Sequence, residues 1–195
     1  MRRFVPVLAA VALAAIQLAC SADLTPVAPP TAPTASRGGV AAASAQLGPR
    51  RIEILDACDP TSFNAAIGAG TCARPGGMSF DQFIAQLTKH GSVGAWTFAP
   101  ANNVTGREGQ VLLAINRGGE VHTFTEVEEF GGGIVPLLNT LSGNTIVAPE
   151  CLALAPDDFI PPGGSDSDDE VESGTEKYQC CIHPWMRVTV TGRGS

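Results

Sequence analysis

Cys180-Cys181-Ile182-His183-Pro184-Trp185-Met186 crowds thiol, imidazole and thioether donors into one short loop near the end of the chain. Soft sulfur beside a nitrogen donor favours copper over magnesium or calcium, and a trigonal two-histidine, one-cysteine set with a weak axial methionine suits copper best. The loop holds only one histidine. The second, His122, stands far upstream in the strand-like stretch Glu120-Val121-His122-Thr123-Phe124-Thr125. Uniting them requires a fold built on long-range strand packing, and a β-sandwich can return residue 122 to the C-terminal loop.

The rest of the chain reads as such a sandwich. Ile52-Glu53-Ile54 alternates as an entry strand; Trp96 and Phe98 share one strand face, Val111, Leu113 and Ile115 another, and Val188 and Val190 a third with Thr189 and Thr191 outward. Short alternating runs between Gly, Pro and Asn turns predict an all-β, antiparallel Greek-key arrangement. Residues 59–67 have room for one or two helical turns before Gly68, Gly70, Pro75 and Gly76-Gly77 intervene. Ser79 and Gln82 form a capping-box pair, Phe80, Phe83, Ile84 and Leu87 fall on one face, and Gly91 stops the helix. That aromatic stripe is read as core packing. His90 sits at the helix end, where a cation is favoured by the dipole.

Nineteen Asp and Glu against twelve Lys and Arg give a net charge of −7, which argues against nucleic acid as a partner. The acidic run Asp166 to Glu172 is read as a solvated turn, with a docking patch for a basic partner as the alternative. Residues 1–20 read as an export signal: Arg2 and Arg3 precede an apolar run too short for a comfortable membrane span. Leu18-Ala19-Cys20 resembles a bacterial lipobox, which would leave Cys20 lipidated and the protein tethered to a membrane; Gln17 departs from that pattern, and cleavage after Ala22 is the alternative. Residues 21–49, rich in Pro, Ala and Thr, cannot bury enough apolar surface to fold and are read as a disordered linker. The folded domain is expected over 50–195.

The pieces Asn116-x5-His122-Thr-Phe-Thr125 and Tyr178-x-Cys180-x2-His183-Pro-x-Met186 resemble the cupredoxins of the plastocyanin and amicyanin type. The resemblance implies a cupredoxin-like sandwich holding one copper ion on His122, Cys180, His183 and Met186, with Asn116 fixing the loop ahead of the first ligand. It implies backbone amides near His122 donating to the Cys180 sulfur, and Pro184 and Trp185 covering an exposed His183 edge through which electrons pass. The helix at 79–90 and the loop around Cys58 and Cys72 exceed a minimal cupredoxin and look like an inserted cap.

Cys180 carries the family spacing, and strand neighbours point to opposite faces, so Cys181 should turn away from the metal. With Cys180 given to copper and Cys20 to a lipid or removed, four of the six cysteines remain. Export allows them to form Cys58–Cys72 and Cys151–Cys181. The expected function is a periplasmic, monomeric type 1 copper protein carrying one electron to or from a redox partner such as a cytochrome. A copper-handling protein without electron transfer is the alternative. Catalysis is not expected, because oxidases and nitrite reductases of this kind need further histidines and the chain has three in all.

Overall fold

A computed structural model describes residues 47–194. Cys20, the stretch read as an export signal and nearly all of the stretch read as a linker lie outside them. Eight strands form two four-stranded sheets. One has the order β2(Thr97–Ala99), β1(Arg50–Leu55), β4(Leu112–Asn116), β6(Ser165–Asp166); the other has the order β3(Asn102–Arg107), β8(Arg187–Arg193), β7(Gly174–Gln179), β5(Thr125–Val127). This is the expected sandwich. Its sheets are mixed: β1 runs parallel to β4 and β3 to β8, while the other pairs are antiparallel. Alternation marks a half-buried strand but carries no information about the direction of its neighbour, so the parallel seams were not legible.

Period-two burial sets the faces. Ile52 and Ile54 of β1 and Val188 and Val190 of β8 are buried. In β4 the buried set is Leu112, Ala114 and Asn116, and Val111, Leu113 and Ile115 are only half-buried, opposite to the sequence expectation. Leu112 and Ala114 on one face and Val111, Leu113 and Ile115 on the other are all apolar, so hydrophobicity alone could not choose. Asn116 chooses: it is fully buried because its side chain ties two loops, and a one-residue slip would carry it to the other face.

Between β1 and β2 lies the cap. Helix α1(Pro60–Ala66) starts at Asp59, whose carboxylate accepts from the Ser62 amide at 2.9 Å, and the Cys58–Cys72 disulfide closes the loop that carries it. Helix α2(Phe80–His90) has the Ser79/Gln82 capping box and ends at Gly91, whose φ of 68° is left-handed and costs glycine least. Phe83 and Leu87 are its buried residues, with Phe80 and Ile84 partly buried against the same core. The aromatic rings of the cap converge: Phe63 stacks on Trp96 at 5.8 Å between centroids, and Phe83 lies 4.7 Å from Trp96.

A further helix, α3(Pro136–Ser142), was missed. Its proline start and its Gly143 stop are ordinary signals, but Leu137 is exposed and only Leu138 and Asn139 are buried, so no apolar stripe announces it. Part of the acidic run is also more structured than a free turn. Ser165 and Asp166 pair with β4, and Val171 is buried.

Candidate metal centre

The site is built by two loops, one after β4 and one joining β7 to β8. In the first, Asn116 donates from Nδ2 to the carbonyls of Glu120 (2.7 Å) and Ile160 (2.9 Å) and accepts from the Gly118 amide (2.9 Å). His122 exchanges backbone hydrogen bonds with Ile160, which fixes its Cα from the opposite side. In the second loop the Cys180 amide donates to the Met186 carbonyl (3.0 Å) and the Met186 amide to the His183 carbonyl (2.9 Å). The turn is therefore closed by its own backbone, and it carries Cys180, His183 and Met186, all buried.

These loops bring His122, Cys180 and His183 together. The Cys180 Sγ lies 3.7 Å from His122 Nδ1 and 3.8 Å from His183 Nδ1, and the ligand atoms of the three residues all fall within 4.8 Å of one another. A first-row metal bonded to sulfur at about 2.3 Å and to nitrogen at about 2.05 Å, with angles near 120°, sets sulfur and nitrogen roughly 3.8 Å apart. The donor spacing fits one ion between them. The imidazole rings approach to 4.9 Å between centroids. The Thr123 amide donates to the Cys180 sulfur at 3.5 Å, a backbone donor beside His122.

Cys180 is the free cysteine among the described residues. Its neighbour turns the other way, where Cys181 is bridged to Cys151 with Cα atoms 5.4 Å apart. The Cys181 amide donates to the Thr123 hydroxyl at 2.8 Å, so this bridge also supports the backbone that positions the thiolate.

Two carboxylates absent from the sequence reading complete the site. Asp56, at the start of the cap, is bonded to His122 Nε2 at 2.9 Å, and Glu120 lies 3.6 Å from His183 Nε2 while accepting from the Trp96 indole at 2.6 Å. Glu120 could have been suspected, since it stands two residues before His122. Asp56 carries no local signal; only tertiary structure places it there.

Electrostatics follow from these contacts. Burial raises the Cys180 thiol, but hydrogen bonds and charge from His122 and His183 outweigh it and hold the thiol well below its ordinary value. Burial disfavours the imidazolium of His122, yet the bonds to Asp56 and Cys180 lift it to about 9. Burial also works against the Asp56 anion, and His122 with the Glu120 and Gly119 amides bring it down to about 2. Glu120 is raised, chiefly by burial.

The proton on His122 has a measurable consequence. A metal must displace it from the imidazole, so below about pH 9 binding releases one proton there and affinity rises roughly tenfold per pH unit, levelling off above that pH. Zinc competition titrations at several pH values should show this slope. A flat profile from pH 7 to 9 would mean that metal binding displaces no proton from His122.

His183 corrects the expectation of an exposed edge. It is only 3% exposed. Trp185 lies 5.5 Å from its ring and Phe83 of α2 lies 6.5 Å away, so the cap closes what the short loop alone would leave open. His90 is exposed at the end of α2.

No protein-family model matches the chain, and no curated protein matches it. Solved structures similar to it include a purple cupredoxin from Nitrosopumilus maritimus, with 16% identity over 73% of this chain and 98% of that one and a TM-score of 0.40. Plastocyanin from Dryopteris crassirhizoma gives 14% identity over 74% and 100% with a TM-score of 0.37. A reduced amicyanin variant gives 22% over 47% and 69% with a TM-score of 0.30. These are the proteins the chain is similar to; its own described residues form two mixed four-stranded sheets packed as a β-sandwich.

Proposed function

We propose that the protein is an exported copper protein that carries one electron at a time, with His122, Cys180, His183 and Met186 as the residues that would hold the ion. The observation that carries this reading is a buried, unbridged thiol with two imidazole Nδ1 atoms turned toward it at 3.7 and 3.8 Å. Copper, when bound, supplies the one-electron couple. The chain supplies rigidity: both loops are closed by backbone hydrogen bonds, and Asp56 holds His122 on its far side. Donors that cannot move impose little reorganisation between the two oxidation states, and the sulfur's hydrogen bond from Thr123 tunes the potential.

The net charge of −7 suits a redox partner with a basic docking face. Export to the periplasm, with or without a lipid on Cys20, places the bridges Cys58–Cys72 and Cys151–Cys181 in an oxidising compartment. With three histidines in the chain, and His90 at the end of α2, there is no set for a second, catalytic copper, and the protein is proposed to act as a carrier and not as an enzyme.

Adding Cu(II) to the purified domain should generate an intense visible thiolate-to-copper absorption in a one-to-one complex, checked by optical titration and paramagnetic resonance. One observation favours a second reading, copper handling: His183 is covered, so no ligand edge offers a direct exit for electrons. A colourless complex formed only with Cu(I) would select that reading.

A further inference from the structure

The loops that carry the donors do not by themselves orient the His122 ring; a group outside them does. The Asp56 side chain is 1% exposed and lies between β1 and the cap. Four N–H groups converge on it: Oδ2 is bonded to His122 Nε2 (2.9 Å) and the Glu120 amide (3.0 Å), and Oδ1 to the amides of Gly119 (2.9 Å) and Cys58 (3.2 Å). The pocket is shaped for it. A Cβ at Gly118 would strike the Asp56 carboxylate, and one at Gly119 would strike Cys58 Sγ and the Arg74 backbone. Glycine at both positions lets the carboxylate reach the histidine.

We infer that Asp56 is a positioning residue of the metal centre, which aims His122 Nδ1 at the Cys180 sulfur and, as a buried anion one imidazole away from the ion, favours Cu(II) over Cu(I). This rests on the copper reading above. A carboxylate on the remote nitrogen of a ligating histidine fixes its tautomer and raises its basicity, and loss of such a partner typically costs 10–100-fold in metal affinity. Charge sets the sign. An anion stabilises the divalent ion more than the monovalent one, so its removal shifts the couple toward Cu(I). Glu120 holds His183 less firmly, at 3.6 Å and with its oxygen shared with Trp96, so its removal should matter less.

The test compares wild type, Asp56→Asn, Asp56→Glu and Glu120→Gln in two assays. The first is a potentiometric titration of the copper-loaded protein. Asp56→Asn keeps an acceptor oxygen and removes the charge, and it should retain the visible band while the Cu(I) to Cu(II) preference rises about tenfold or more. That is about 59 mV of potential for each tenfold in a one-electron couple. Asp56→Glu should recover part of the shift, and Glu120→Gln should shift less than Asp56→Asn. The second assay is zinc affinity by competition, expected to fall 10–100-fold in Asp56→Asn.

A wild-type protein that forms no coloured complex defeats the electron-carrier reading, and the zinc assay still decides the role of Asp56. A Cu(I)-to-Cu(II) preference within twofold of wild type in Asp56→Asn, or an unchanged zinc affinity, overturns the inference. If Asp56→Asn fails to fold, Gly118→Ala is read in the same two assays, because it displaces the carboxylate and leaves it in the chain. Wild-type values there would overturn the inference equally.

Discussion

Cys180→Ser is expected to abolish the thiolate-to-copper absorption completely, while Cys181→Ser retains it. The two residues are chain neighbours with opposite environments. Cys180 faces two imidazole nitrogens and receives the Thr123 amide; Cys181 faces Cys151 and is bridged to it. Serine at 180 replaces a soft thiolate with a hard hydroxyl that stays protonated at neutral pH, so neither the covalency with copper nor the charge survives. Loss of the band should come with a much weakened affinity for Cu(I), which prefers soft donors. At position 181 the damage is to the fold: removing a native bridge typically costs about 2–5 kcal/mol, and the thermal midpoint should fall while the optical spectrum keeps its band. Optical titration beside thermal denaturation separates the two effects. A folded Cys180→Ser variant that still turned blue, or a folded Cys181→Ser variant that did not, would show the thiolate to be the wrong one.

That the two variants can be distinguished in advance reflects how the information is distributed along the chain. The convergence of Cys180 and His183 with His122 was legible because a metal site needs particular atoms at a short-loop spacing, and Tyr178 to Met186 writes such a pattern into a contiguous stretch. The strands and α2 were legible because burial imposes a period, and a capping pair with a terminal glycine marks a helix. What was not legible depends on partners distant in sequence. The side of β4 that turns inward is decided by Asn116 bonding to Ile160, forty-four residues later. Asp56 and His122 are sixty-six residues apart, and nothing local to either foretells their hydrogen bond. The closure of His183 depends on Phe83 in an inserted cap, whose stripe reads correctly as core-forming but gives no indication of what core it joins.

The cap therefore belongs to the candidate metal centre mechanically, and Trp96→Ala should expose this. Trp96 is 1% exposed, packed against Phe63 and Phe83, and its indole N–H donates to Glu120 at 2.6 Å. It thus joins the aromatic core of the cap to a carboxylate beside His183. Truncating a buried tryptophan to alanine costs about 3–5 kcal/mol through lost transfer energy and the cavity left behind. Leaving a buried carboxylate without its donor adds about 1–3 kcal/mol. Against a total stability of about 5–15 kcal/mol this is a large fraction. Packing alone should lower the thermal midpoint by roughly 6–20 °C in a domain of this size. Trp96→Phe separates the two contributions, because it keeps most of the ring packing and removes only the N–H; its cost should be about 1–3 kcal/mol. Urea denaturation of the three proteins measures both. If the alanine variant lost less than about 1 kcal/mol, the cap would be a loosely attached appendage, and the burial of His183 would not depend on it.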